Sequence, residues 1–130
     1  MDLPKITDSE KEVMRLLWKR SPQTANEIIE VLSVKMNWSE QTIKTFLNRL
    51  HKKNAIRFEK DSRSYLYYPL VTEEDYYQIE NKCFLERVYD GAVGMLFSHF
   101  IREEMLTDDE IEELEQLLQK KKNQSLNKKD

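Results

Sequence analysis

The chain of 130 residues predicts a mainly α-helical protein with one small β-hairpin, and three observations carry that prediction. Only 2 glycines and 3 prolines interrupt it, while 35% of its residues are charged and 39% hydrophobic, a balance that favours helix over disorder. Threonine followed three residues later by an acid recurs along the chain as a helix-start signal. Only one stretch, from Ala55 to Tyr68, changes to the two-residue alternation of strands.

Thr7-Asp8-Ser9-Glu10 forms the first capping box. The threonine hydroxyl accepts the Glu10 N–H, and the carboxylate reaches back to the Thr7 N–H. Val13, Met14, Leu16, Leu17 and Trp18 then give an apolar stripe at helical spacing. Ser21-Pro22 ends this first helix, because proline disfavours the α conformation in the residue before it. Thr24 to Glu27 repeats the box, with Ile28, Ile29, Val31 and Leu32 as the expected buried face of a shorter second helix. Ser33 to Trp38 suits the turn between two helices that meet at a steep angle. Ser39 caps a third helix that runs to about Lys53.

Ala55 to Lys60 and Ser64 to Tyr68 alternate in polarity and are rich in aromatic and branched residues, so they read as two strands. Asp61-Ser62-Arg63 joins them as a hairpin with a basic tip. Three helices followed by a hairpin is the order of a winged helix-turn-helix. Residues 1–71 are therefore expected to form that unit.

Beyond it, Thr72-Glu73-Glu74-Asp75 opens another helix carrying Tyr76, Ile79, Cys83, Leu85, Val88 and Tyr89. Asp90-Gly91 and Gly94 should kink or break it. Val93, Leu96, Phe97, Phe100 and Ile101 belong to a segment without a strictly polar face, which a chain this short cannot bury alone. Thr107 to Glu110 caps a last helix with Ile111, Leu114, Leu117 and Leu118 on one stripe. The expected result is a homodimer through residues 72–123, held by Ile79, Val88, Val93, Leu96, Phe97, Phe100, Ile101, Leu114, Leu117 and Leu118, with 124–130 as a frayed tail.

The net charge of −3 conceals an asymmetry. Residues 1–70 carry 13 basic and 9 acidic side chains, net +4, whereas residues 71–130 carry 8 and 15, net −7. Lys35 to Arg63 alone is +5, which suits a polyanion. With about 100° per residue and Leu47 at zero, Ile43, Phe46, Leu47 and Leu50 share the inner arc of the third helix. Gln41, Thr45, Asn48 and Lys52 lie opposite, flanked by Thr42, Arg49 and Lys44. Glutamine and asparagine can bond adenine edges, arginine can fork onto guanine, a threonine methyl can meet thymine, and lysine suits phosphate. Lys52 and Lys53 are expected on the DNA backbone, and Lys60 and Arg63 on the minor groove or phosphates.

No stretch reaches the roughly 18 apolar residues of a membrane span. The start, Met1 to Lys5, has no signal-peptide core, so a cytoplasmic location without membrane insertion is expected. The lone Cys83 is expected to be a buried apolar side chain in a reducing compartment. No phosphate-loop, H-E-x-x-H or G-x-S-x-G motif occurs, so neither catalysis nor a metal or other cofactor is expected. The rival reading is a winged helix used to bind protein, against which the +5 segment and the polar arc both count.

Ile6 to Glu10, Val13-Met14, Leu17-Trp18, Trp38-Ser39, Thr42-Ile43, Thr45, Leu47, Arg49-Leu50 and Lys53 resemble the penicillinase and methicillin-resistance repressors (BlaI/MecI) and their copper-responsive relatives (CopY). The resemblance spans about residues 6–122 and implies a homodimer bound to an inverted-repeat operator, adding Ser39 to the DNA-facing set. The copper branch uses a C-x-C-x4-C-x-C tail, but the residues after Lys122 contain no cysteine, so sensing by that route is not expected. The antibiotic branch is inactivated when a membrane-linked sensor protease cuts an Asn-Phe bond. The corresponding place here is His99-Phe100, which keeps the phenylalanine and departs at the histidine. A metal- or ligand-responsive repressor of the same fold is the alternative.

Overall fold

The computed structural model describes residues 3–128. Helix α1 spans Asp8–Lys19, strand β1 Gln23–Thr24, α2 Ala25–Lys35 and α3 Glu40–Lys52. Strands β2 (Ile56–Asp61) and β3 (Ser64–Pro69) follow, then α4 (Glu73–Tyr89), α5 (Val93–Arg102) and α6 (Asp108–Lys128). The contacts divide the chain into two compact units, one up to Lys82 and the other from Cys83, so the division falls inside α4.

Both predicted boxes at the first two helices form: Glu10 N–H donates to Thr7 Oγ1 at 3.2 Å, and Glu27 N–H to Thr24 Oγ1 at 3.1 Å. Each satisfies a backbone donor that the helix itself leaves open. Asn37 (φ 56°) and Asn54 (φ 63°) take the left-handed conformation, which asparagine adopts more readily than most residues, on either side of α3. The three strands run antiparallel in the order β1-β3-β2, with Gln23 opposite Tyr67 and Phe58 opposite Tyr67 from the other side. Two residues were too few for the sequence to reveal β1.

The core of the first unit lies between α1, α2, α3 and the sheet, with Val13, Met14, Leu17, Ile28, Leu32, Ile43, Leu50 and Ile56 all but inaccessible. Tyr76 of α4 also belongs to it, its ring packed at a tilt 5.4 Å from that of Trp18, whose indole N–H donates to the Val71 carbonyl at 2.8 Å. Val31 was expected on the buried face of α2 but is 42% exposed, because Ile28 and Leu32 define that stripe and Val31 falls outside it.

The second unit has a different character. None of residues 83–127 is buried. Cys83 is exposed, correcting the expectation of a buried thiol, since no core exists there to receive it. Helix α4 stops at Tyr89, and Asp90 (φ 49°) and Gly91 (φ 85°) make the turn into α5, whereas Gly94 sits inside α5 without breaking it. Helix α6 continues to Lys128, so the frayed tail expected from residue 124 is helical through 128, and residues 129–130 lie outside the described ones. Among the described residues no helix is long and apolar enough to cross a membrane.

Candidate nucleic-acid interface

Ser39 presents α3 by capping it: its hydroxyl oxygen accepts the Thr42 N–H at 3.1 Å and lies 2.9 Å from the Thr42 hydroxyl. With Ile43, Leu47 and Leu50 buried, the helix must turn its other arc outward. Gln41, Lys44, Asn48, Arg49 and Lys52 are exposed there, and Thr42 and Thr45 are half-buried. The Thr45 hydroxyl donates to the Gln41 carbonyl at 2.9 Å, which orients its methyl group and leaves the Gln41 amide free of that bond. Lys44 pairs with Glu40 one turn earlier at 3.3 Å, an exposed contact that a phosphate could displace at little cost. Among the described residues Arg49, Lys52, Lys60 and Arg63 form no ion pair. Lys60 and Arg63 are exposed on the hairpin.

A cleft of about 370 Å³ runs between the start of α2, α3 and the hairpin, lined by Ala25, Asn26, Lys44, Asn48, Arg63, Ser64, Tyr65 and Tyr67 among others. His51, in the last turn of α3, packs its ring at a tilt 4.6 Å from Phe58, which meets Tyr65 edge-on at 4.9 Å, so a chain of aromatic contacts ties the end of α3 to the hairpin. Burial, and secondarily the neighbouring Tyr65, holds the Tyr67 phenol above its ordinary pKa. Asn26, His51, Phe58 and Tyr65 were not singled out from sequence. Pairing of β1 with β3 brings the start of α2 beside the hairpin, and that pairing carried no readable pattern. Arg57 stays on the other face of the hairpin, 4.0 Å over the Tyr68 ring and bonded to Glu59 at 2.7 Å.

Lys53 does not reach this surface. Its ammonium donates to the Lys5 carbonyl at 2.8 Å and to the Glu10 carboxylate, the same Oε1 that accepts the Thr7 N–H at 2.9 Å. Glu10 is 1% exposed. Burial pushes its carboxyl up, but the bonds from Lys53 and Thr7 outweigh that and hold it below its ordinary value. An acid buried at the start of α1 thus holds this lysine inward, away from the exposed arc that carries Lys52.

In the second unit, Phe97, Ile101, Leu106, Ile111, Leu114, Leu117 and Leu118 line an open apolar groove of about 420 Å³ between α5 and α6. Ile101, Leu117 and Leu118 are more than half exposed, as are Val88 and Met95. Val93 and Phe97 are each 46% exposed, while Ile79, Leu96, Phe100 and Leu114 are half-buried. Leu106 and Ile111 join the expected set, and the spacing of Ile111, Leu114 and Leu118 was the signal for the latter. His99 and Phe100 lie inside α5, with the Tyr89 hydroxyl 3.2 Å from His99 Nδ1.

The family model described as Penicillinase repressor matches residues 6–120. The chain belongs to the penicillinase repressor family. It is 40% identical over 121 residues to the penicillinase repressor of Bacillus licheniformis, covering 93% of this chain and 94% of that one. It is also 40% identical over 116 residues to the methicillin resistance regulatory protein MecI of Staphylococcus aureus (strain N315), covering 89% and 94% respectively. Among solved structures, the DNA binding domain of the repressor BlaI superposes with a TM-score of 0.54 at 44% identity, over 58% of this chain and 92% of that one. The monomeric form of Bacillus licheniformis BlaI in complex with the blaP half-operator gives 0.53 at the same identity and coverage. A repressor family built on a winged-helix unit agrees with the mainly α fold and hairpin, and its function is regulatory rather than enzymatic.

Proposed function

We propose that this chain is a cytoplasmic, homodimeric transcriptional repressor that reads an inverted-repeat operator, one half-site per protomer. The observation that carries the reading is the outward arc of Gln41, Thr45, Asn48 and Arg49 on α3, set beside the basic hairpin. The relative solved as a monomer on a half-operator supports placing the half-site reader in the first unit. Dimerisation is assigned to the second unit, where 45 consecutive residues, 83–127, contain no buried side chain. An isolated copy leaves this segment without a closed core, whereas a second copy can cover the α5–α6 groove.

Derepression is assigned to loss of that second unit, by a sensor-linked protease acting at His99-Phe100. The bond lies within α5, so a protease must first unwind that helix, whose first turn has no side-chain cap.

The deciding experiment selects binding sites from random duplex DNA with the full-length chain and measures affinity across salt concentrations. Selection of an inverted repeat, with affinity falling steeply as salt rises, is the expected result. Failure to enrich any sequence, or binding indifferent to salt, refutes the reading.

A further inference from the structure

We infer that Lys53 is a positioning residue for α3, locked onto Glu10, and that DNA binding depends on it without its touching DNA. The inference rests on the DNA-reading role assigned to the exposed arc of α3. Lys53 caps the C-terminal end of that helix, its N–H donating to the Arg49 carbonyl at 3.1 Å. Its side chain then crosses to the start of α1, where Glu10 Oε1 receives both the Lys53 ammonium and the Thr7 N–H, and the Lys5 carbonyl takes a second bond from the ammonium. One buried oxygen thus fastens the first turn of α1 to the last turn of α3.

Two physical consequences follow. Moving the ammonium to a phosphate would strand an almost inaccessible carboxylate without its cation, an outcome strongly disfavoured where water cannot replace it. Lys52, one residue earlier, is exposed and forms no ion pair among the described residues, so it is the lysine available for the backbone. In addition, Arg49 and Asn48 lie within the last turn and a half before the cap, so freeing the end of α3 shifts the side chains expected to read bases. Base contacts tolerate little displacement, whereas phosphate attraction is tolerant of it.

The test uses the full chain and its selected operator. K53M and E10Q are each expected to narrow the preference for operator over random duplex by about 5- to 150-fold, the worth of roughly one base contact, while the salt slope stays that of the wild type. K53R, which keeps the charge and can reach the same carboxylate, is expected to recover part of the preference. K52M is the opposite case: weaker binding to every duplex and a salt slope lower by about one. A K53M protein with a reduced salt slope and unchanged preference, beside an E10Q protein like wild type, overturns the inference in favour of a phosphate contact. Folded variants that lose thermal stability but keep both affinity and preference overturn it in favour of a merely structural pair.

Because either variant can fail to fold, lysine acetylation of the wild type read by mass spectrometry provides an independent arm. Lys53 is expected to resist the reagent in the free protein, and Lys52 to become protected only when DNA is added. Free Lys53 that reacts as fast as Lys52 and is shielded only by DNA refutes the lock. If the wild-type chain binds no duplex at all, the DNA-reading assignment fails and the inference falls with it. If the wild type binds, the variant results bear on Lys53 alone.

Discussion

Replacing Leu118 by alanine should weaken dimerisation without harming the fold of the monomer, and the size of the effect follows from exposure. Leu118 is 65% exposed within one chain, at the lip of the α5–α6 groove. Complete burial of a leucine side chain stabilises by about 1.5–3 kcal/mol, so covering the remaining surface contributes about 1–2 kcal/mol per copy. A two-fold interface contains the residue twice, giving about 2–4 kcal/mol, or roughly 30- to 700-fold in the dimer dissociation constant. Sedimentation equilibrium over a concentration series measures that constant, and far-ultraviolet circular dichroism at low concentration checks the helices of the separated protomer. A dissociation constant within about threefold of wild type would show that Leu118 does not meet a partner chain, because burial of its exposed surface is worth more than that. The reasoning would then have failed at its central step, that this groove is covered by a second copy.

Asn48→Ala and Arg49→Ala should each cost about 1–3 kcal/mol on the operator and blur the preferred sequence, measured by fluorescence anisotropy on single-base operator variants. Equal losses on operator and random duplex would remove Asn48 from base reading. The Glu10 carboxyl is held below its ordinary value near 4.5, so its contribution to stability is present above the unfolded value and is lost as pH falls through the folded one. Glu10→Gln should therefore flatten the acid limb of a chemical-denaturation profile below about pH 5, and an unchanged limb would contradict the pairing. A chain ending at His99 should sediment as a monomer and bind the operator about 10²- to 10⁴-fold more weakly, since two half-site contacts are no longer linked. Full-strength binding by that fragment would exclude cleavage there as the switch.

Much of the first unit was legible because short-range chemistry determined it. The Thr7 and Thr24 boxes, the Ser39 cap and the arc of Ile43, Leu47 and Leu50 all lie within single helices, and all appear where the spacing predicts. What escaped were contacts between distant segments. Strand β1 is two residues long, and only its pairing with Leu66 and Tyr67 gives it shape. The Lys53–Glu10 pair joins positions 43 residues apart, and nothing local separates that lysine from Lys52. Val31 likewise looks like a core residue by type, yet the buried stripe of α2 is set by Ile28 and Leu32 and leaves it exposed. In the second unit the apolar stripes were readable, whereas the exposure of Cys83 depends on the absence of a core around it.

That absence bears directly on how a repressor of this design would be switched. The first unit has its own closed core and keeps α3 braced by Glu10 and the hairpin, so its reading surface persists whether or not the second unit is intact. The second unit exposes Ile101, Leu117 and Leu118 and fully buries no side chain among residues 83–127, so in the proposed dimer its helices would gain much of their stabilisation from the partner copy. On the proposed dimer, folding and association of that unit would be coupled, and damage in α5 or α6 would be felt as loss of the dimer. A signal directed at the second unit can release the operator while each protomer retains a correctly formed half-site reader, which concentrates control in the avidity between two weak contacts.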